Sequence, residues 1–242
     1  MNLEVRRTHD LEVYLKEQRY EEPKELFKIL AGIVKRSGAM VEGSRVFDFG
    51  CAAGEFLYYM RKEFPSAKYI GYDVVPELID AARQKVQGVD FRLGSVTEAQ
   101  LLTCDSIDVA FMAGVHSIFD EFESCFSNLF RWVRPGGRLY VVGLFNPSPI
   151  DVWVKYRRVD DPDLDHREPG WNIFSKASVS RFIDSTIGPG NHSFTPFEMP
   201  FDLESNAEDP VRSWTFIDGQ GRRLATNGLS LICNIEILEV RP

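Results

Sequence analysis

One stretch of this chain combines small residues and acids at a spacing that can do chemistry. It reads Asp48-Phe49-Gly50-Cys51-Ala52-Ala53-Gly54-Glu55, and a second acid, Asp73, follows 19 positions after Gly54. Small residues let a ligand lie against the backbone, and a helix starting there presents free N–H groups. A carboxylate at the end of the next strand can accept two hydrogen bonds from adjacent ribose hydroxyls. Together these features indicate an adenosine-type cofactor. The dinucleotide pattern GxGxxG would put its third glycine where this chain has Glu55, an acid that repels a pyrophosphate. That argues against a nicotinamide-dependent oxidoreductase. His116, after the fourth apolar segment, is the sharpest candidate for a general base, since a neutral imidazole there could take a proton from an attacking hydroxyl. His166 and His192 are lesser candidates. Tyr156 and Arg157, in a charged segment with Trp153 and Lys155, are candidate substrate contacts. The bland reading is a solvated loop whose charges pair with Asp160, Asp161, Asp163 and Asp165.

Strands must hold the turn, and the pattern supplies them. Arg45–Phe49, Tyr69–Asp73, Val89–Gly94, Ser106–Met112 and Arg138–Gly143 are short apolar runs. Helical periodicity separates them over 55–64, Pro76–Val86 and Phe122–Val133. Strand–helix alternation with nearly continuous apolar strands indicates a parallel sheet covered on both faces. An N-terminal segment, 1–43, is helix-prone: Leu26, Phe27, Leu30, Ile33 and Val34 recur at helical spacing, and Tyr20 could close over the cofactor. Residues 146–170 carry four prolines and many charges without a clear period, as expected of a functional loop. Ser175 is a helix N-cap candidate. The tail is β-rich, with a hairpin signal at Asp218-Gly219-Gln220-Gly221 and a long terminal strand over Ser230–Leu238. The expected architecture is one α/β domain: a Rossmann-like doubly wound sheet, mostly parallel with an antiparallel last strand, plus a C-terminal β-rich extension. Its parts are the helical segment 1–43, a cofactor-binding core over 44–145, and a substrate-shaping loop, helix and tail over 146–242.

The core motifs resemble those of the class I S-adenosylmethionine-dependent methyltransferases of the small-molecule type. Asp48-Phe49-Gly50-Cys51-Ala52-Ala53-Gly54 is similar to that family's first motif, (D/E)xGxGxG, with Ala52 in place of the middle glycine. Ile70-Gly71-Tyr72-Asp73-Val74 resembles the second motif, and Gly94-Ser95-Val96 stands where a Gly-Asp pair is more usual. Arg134-Pro135-Gly136-Gly137-Arg138-Leu139 resembles the turn that leads to strand five. The likeness covers about 44–143. It implies S-adenosylmethionine as cofactor, S-adenosylhomocysteine as product, and a cofactor site of Asp48, Phe49, Gly50, Cys51, Ala52, Gly54, Asp73, Val74, Ser95, Val96 and Ala113. Asp73 would bind the ribose, Val74 would pack on adenine, and Ser95 would meet the adenine amine. Ala52 costs little if it keeps a negative φ.

The chain lacks the family's N/D-P-P-Y pattern of amino-methylating enzymes, the Pro-Cys nucleophile of cytosine-C5 enzymes, and the acids at strand four of magnesium-dependent catechol-type enzymes. What remains is a metal-independent enzyme acting on a small molecule, at oxygen, such as a sugar, a polysaccharide precursor or a natural product. A non-catalytic cofactor-binding scaffold is the alternative. With 28 Lys and Arg against 36 Asp and Glu, the net charge is −8, which disfavours gripping nucleic acid. Cys51, Cys104, Cys125 and Cys233 form no CxxC, and no apolar run approaches the roughly 20 residues of a membrane span. A cytoplasmic monomer or homodimer, bound to no membrane, is expected.

Overall fold

The computed structural model describes residues 9–206, 212–226 and 235–242. Two helices lead: α1 (His9–Glu17) and α2 (Glu25–Ser37). Next come β1 (Arg45–Phe49), α3 (Glu55–Glu63), β2 (Lys68–Asp73), α4 (Pro76–Lys85), β3 (Asp90–Leu93) and β4 (Ile107–Ala113). A 3₁₀ turn at His116–Ile118 precedes α5 (Glu123–Trp132) and β5 (Val133–Asn146). The remainder contains β6 (Lys155–Tyr156), β7 (Glu168–Pro169), β8 (Phe174–Ser175), α6 (Lys176–Ile187), β9 (His192–Phe197), β10 (Trp214–Ile217), β11 (Arg223–Thr226) and β12 (Ile235–Val240).

The main sheet runs β3-β2-β1-β4-β5-β12-β9. From β3 to β5 all pairings are parallel, and β12 enters antiparallel to both β5 and β9. The mixed α/β architecture with an antiparallel last strand is therefore as the sequence indicates. The order reverses between β1 and β4, so the loops after these two strands part to opposite sides and leave a crevice. Helices cover both faces. On one face Phe27, Leu30 and Val34 of α2 and Leu57 and Met60 of α3 pack on Val46, Val109 and Tyr140. On the other, Phe126 and Leu129 of α5 and Val179 and Ile183 of α6 pack on Phe47, Met112 and Leu139. Each fully buried large apolar side chain contributes about 1.5–3 kcal/mol.

Local expectations hold at several points. Ser175 caps α6, its Oγ accepting from the Ser178 amide at 3.0 Å. The hairpin β10–β11 forms around Asp218–Gly221, with Trp214 opposite Thr226. Residues 230–234 of the expected terminal strand, and Cys233, lie outside the described residues; Ile235–Val240 is a strand. Strand five is longer than expected. It starts at Val133 and absorbs the Pro-Gly-Gly turn as an irregularity, because β4 pairs with Val133 and then again from Arg138. The 146–170 segment is not a bare loop. It folds into a small antiparallel ribbon, with Lys155 opposite Pro169, Tyr156 opposite Glu168, and a bridge between Val152 and Ile173. Among the described residues no helix is long and apolar enough to cross a membrane.

Candidate active site

The Gly50–Gly54 turn begins where β1 ends. The Gly50 and Cys51 amides donate to the Tyr72 carbonyl at 2.7 and 3.0 Å, which ties the turn to β2. Gly50 sits at φ +83, and a Cβ there would come within 2.3 Å of Val115 Cγ2. Only glycine satisfies both conditions. Ala52 departs from expectation: its φ is +45, not negative. The turn forces it there because its amide must reach Asp73 Oδ2, at 2.9 Å. A left-handed alanine costs about 1–2 kcal/mol, so this substitution is not free.

A cavity of about 320 Å³ opens over this turn. Its floor is Asp48, Gly50, Cys51 and Ala52 from the turn and Ala113 and Gly114 from the end of β4. The end of β5 adds Val142, Gly143 and Leu144. Leu26, Phe27 and Leu30 of α2, with Phe56 of α3, form an apolar roof. Tyr14, Lys24, Glu55, Ser117, Trp171 and Ser213 complete the wall. The linker between α1 and α2 is fastened over the turn. The Tyr20 hydroxyl donates to the Ala53 carbonyl at 2.8 Å, and the Arg19 amide donates to Glu55.

Electrostatics single out Asp48. It is buried, lines the cavity, and forms no ion pair among the described residues. Burial, with the nearby Asp73 carboxyl second, pushes its pKa up to about 8. Asp73 is also buried and also pushed up by desolvation, although amide donors at Ala52 and Val75 (2.9 and 3.0 Å) pull the other way. Two buried carboxyls without a cation are costly. A ligand bearing positive charge beside Asp48 would remove that cost. Burial likewise raises the Cys51 thiol, with Asp48 and Asp73 adding to it, so this cysteine is a filler of the turn rather than a thiolate.

Other sequence-predicted residues fall around the cavity without lining it. Gly54 caps α3. Asp73, Val74, Ser95 and Val96 gather at the ends of β2 and β3, where the Gly94 amide bonds the Asp73 carbonyl. Ser95 Oγ lies 2.8 Å from Thr97 Oγ1, and Val96 packs into the core. Phe49 points to the far face of the sheet, stacked between Tyr72 and Trp132 at 5.8 and 5.4 Å, so only its backbone adjoins the turn.

The expectation for His116 is corrected. Its ring is fully buried, stacked on Phe145 at 4.8 Å, and is not on the cavity wall. Desolvation lowers its pKa to about 4, so it is a neutral core imidazole. Its Nε2 lies 3.3 Å from Ser117 Oγ. Tyr156 and Arg157 are corrected too. They belong to the ribbon and not to the wall: the Tyr156 hydroxyl donates to Glu168 at 2.9 Å, and Arg157 donates to backbone carbonyls of its own loop. His166 pairs with Asp161 at 2.6 Å, and His192 faces Ser180 Oγ at 2.8 Å. The charged loop is thus largely self-paired.

The wall residues that the motifs do not reveal are the α2 roof, Ser117 and Trp171. The apolar stripe of α2 shows that one face is buried, but not that its first turns roof a cavity. Trp171, an isolated aromatic after Pro169-Gly170, is the one visible signal in the later segment.

Sheet order and glycine turn define a Rossmann-like domain with a buried carboxyl, Asp48, on the wall of the cavity over that turn. Residues 41–148 match the family model described as a methyltransferase domain. This part of the chain is similar to that family. An arsenite methyltransferase of Halobacterium salinarum is 31% identical over 138 residues, 54% of this chain and 34% of that protein. A demethylmenaquinone methyltransferase of Thermus thermophilus is 30% identical over 121 residues, 48% of this chain and 53% of that protein. The chain thus spans between a third and about half of the length of these relatives. The crystal structure of an S-adenosylmethionine-dependent methyltransferase from Aquifex aeolicus superposes with a TM-score of 0.52 at 17% identity, covering 96% of this chain and 98% of that one. It shows the same fold.

Proposed function

We propose that the protein transfers a methyl group from S-adenosylmethionine to a small-molecule acceptor, at a hydroxyl oxygen and without a metal. The observation that carries this reading is the buried Asp48 carboxyl on the wall of the cavity beside Gly50. It has the sign and the place to receive the ammonium or sulfonium end of that cofactor. Asp73, Val74, Ser95 and Val96 are grouped where ribose and adenine would lie. When bound, the cofactor supplies an electrophilic methyl on a positively charged sulfur. The protein's own part is then to bind, align and exclude water, and alignment alone can supply several kcal/mol of the barrier. The apolar roof of Leu26, Phe27, Leu30 and Phe56 keeps water out. Relatives named for arsenite and for demethylmenaquinone support a small acceptor. The absence of metal chemistry rests on the tip of β4, where Ala113, Gly114 and Val115 offer no carboxylate.

The test is calorimetry with S-adenosylhomocysteine on wild type and Asp73→Ala, followed by methyl transfer from labelled cofactor to a panel of hydroxylated small molecules. Micromolar binding that the variant loses supports the cofactor site. Binding without turnover on any acceptor favours the scaffold alternative. No binding by wild type overturns the reading.

A further inference from the structure

The ribbon of residues 152–156 and 168–173 is tied to the cavity by one buried residue, through its backbone N–H and its side chain. Asn172 is 3% exposed. Its amide donates to the Ser117 carbonyl at 2.7 Å, its Nδ2 donates to the Phe119 carbonyl at 2.7 Å, and its Oδ1 accepts from the Val154 amide at 2.9 Å. Trp153 adds a further tie to that loop, its indole N–H donating to the Asp120 carbonyl at 2.8 Å. The carbonyls of the loop after β4 are therefore satisfied by the ribbon. The Ser117 residue is buried, and a buried carbonyl left unpaired costs about 1–3 kcal/mol, so the two loops hold one another in place. Ser117 and Trp171, one on each side of this tie, both line the cavity. Ser117 Oγ is also fixed from behind by His116 Nε2.

The wall around them sets the chemistry of what fits. Phe27, Leu144 and Trp171 are apolar or aromatic. Lys24 is the one cation among the described wall residues, and its ammonium is already held by Glu17 at 2.5 Å. Asp48 and Glu55 put acids rather than bases on the wall. An anionic acceptor has no counter-charge here. A polyhydroxylated sugar would leave most of its hydroxyls against carbon.

We propose that Trp171 and Ser117 form the acceptor subsite, that Asn172 is the residue positioning both, and that the acceptor is a flat, uncharged ring carrying a hydroxyl. The ring packs against the Trp171 indole, and the Ser117 hydroxyl bonds the acceptor oxygen. This rests on the methyltransferase reading above and narrows it away from glycans.

The experiment uses β-naphthol as a flat neutral probe and methyl glucoside as the contrasting one. Both are titrated into protein saturated with S-adenosylhomocysteine, and methyl transfer to each is followed. β-Naphthol should bind and methyl glucoside should not. Trp171→Ala should weaken β-naphthol about tenfold, while Trp171→Phe, which keeps a ring, should stay within about threefold. Asn172→Ala should raise KM for β-naphthol and lower kcat, yet leave the S-adenosylhomocysteine Kd within about twofold. Should Asn172→Ala fail to fold, the Trp171 pair decides. Binding of methyl glucoside instead of β-naphthol overturns the proposal, as does Trp171→Ala with unchanged β-naphthol affinity. Equal loss of S-adenosylhomocysteine and β-naphthol in Trp171→Ala also overturns it, because Trp171 would then belong to the cofactor's wall. Failure of wild type to bind S-adenosylhomocysteine is a different result: it removes the methyltransferase reading and this proposal with it.

Discussion

Replacing Asp48 by Asn removes a charge from the turn while keeping its shape. Burial and the neighbouring Asp73 raise the Asp48 pKa from 3.8 to about 8 in the fold. Between those values the folded state keeps a proton that the unfolded chain releases. Stability then falls by about 1.4 kcal/mol for each pH unit gained. His116 acts in the opposite sense. Burial lowers its pKa from 6.5 to about 4, so within that window the unfolded chain holds the extra proton and stability rises with pH. The two slopes cancel up to about pH 6.5. Above it His116 no longer offsets the fall, and Asp48 contributes a loss of roughly 2 kcal/mol by about pH 8, in the same direction as the raised Asp73.

Asp48→Asn should therefore change the shape of the curve and not only its height. In denaturant titrations across this range, wild type should be nearly flat and then fall. The variant should rise to about pH 6.5 and then stay level, gaining at most about 5 kcal/mol over wild type near pH 8. Binding should move the other way. A positively charged ligand favours ionised Asp48, so S-adenosylmethionine should release a proton near neutrality, seen as a buffer-dependent binding enthalpy. The variant should lose that proton release and about ten- to a hundredfold in affinity, the worth of one charge-assisted hydrogen bond. A variant curve that still falls above pH 6.5, or unchanged proton release, would refute the assignment of Asp48 as the cation-facing carboxyl.

Three further outcomes follow from particular contacts. Asp73→Ala should lower S-adenosylhomocysteine affinity at least about tenfold by calorimetry, since it removes a ribose acceptor and the partner of the Ala52 and Val75 amides. Ala52→Gly should relieve a φ of +45; after the entropic cost of glycine it should stabilise by about 0.5–1 kcal/mol, read as a Tm higher by about 2 °C. Asp108 sits at the opposite end of the sheet. Burial alone would raise its pKa, but hydrogen bonds from Arg45 and Arg134 outweigh that and hold it at about 2. Its contribution is complete above the ordinary carboxylate value and is lost as pH falls through about 2. Asp108→Asn should cost roughly 2 kcal/mol at neutral pH and leave cofactor affinity unchanged.

The sheet core was readable because its signals are local. Apolar runs of five or six residues alternate with helical periods, and the turn chemistry at Gly50, Ser175 and Asp218–Gly221 marks their ends. The acceptor side was not readable, for a physical reason. Tyr156 and Arg157 looked like ligands because charge and aromatic character can be seen in a sequence. Their partners, Glu168 and the loop's own carbonyls, became visible only once the ribbon closed. Asn172 carries no period, no cap and no motif. Its importance comes from carbonyls at Ser117 and Phe119, more than 50 positions away. His116 misled in the same way: its position after β4 is correct, but the ring is fully buried, stacked on Phe145 and packed against Gly143 behind the wall. The sign of φ at Ala52 was likewise set from outside, by the Asp73 carboxylate that its amide must reach.

Several costs of this fold meet at one turn. Two buried carboxyls, a left-handed alanine and a glycine with no room for a Cβ all fall within the turn after β1 or beside it. The rest of the sheet is favourable: Phe49 stacks on Tyr72 and Trp132, Phe111 on Tyr140, and Asp108 is paired twice. Left-handed non-glycine residues also occur at Gln18 and Asp105, but only this turn joins one to two buried carboxyls. The two carboxyls bear on the charge of a ligand placed beside them. Repulsion between Asp48 and Asp73 is relieved by a cation and worsened by a phosphate. On the proposed reading, the same turn would disfavour a dinucleotide and favour a sulfonium amino acid, whose positive charge would draw the proton off Asp48.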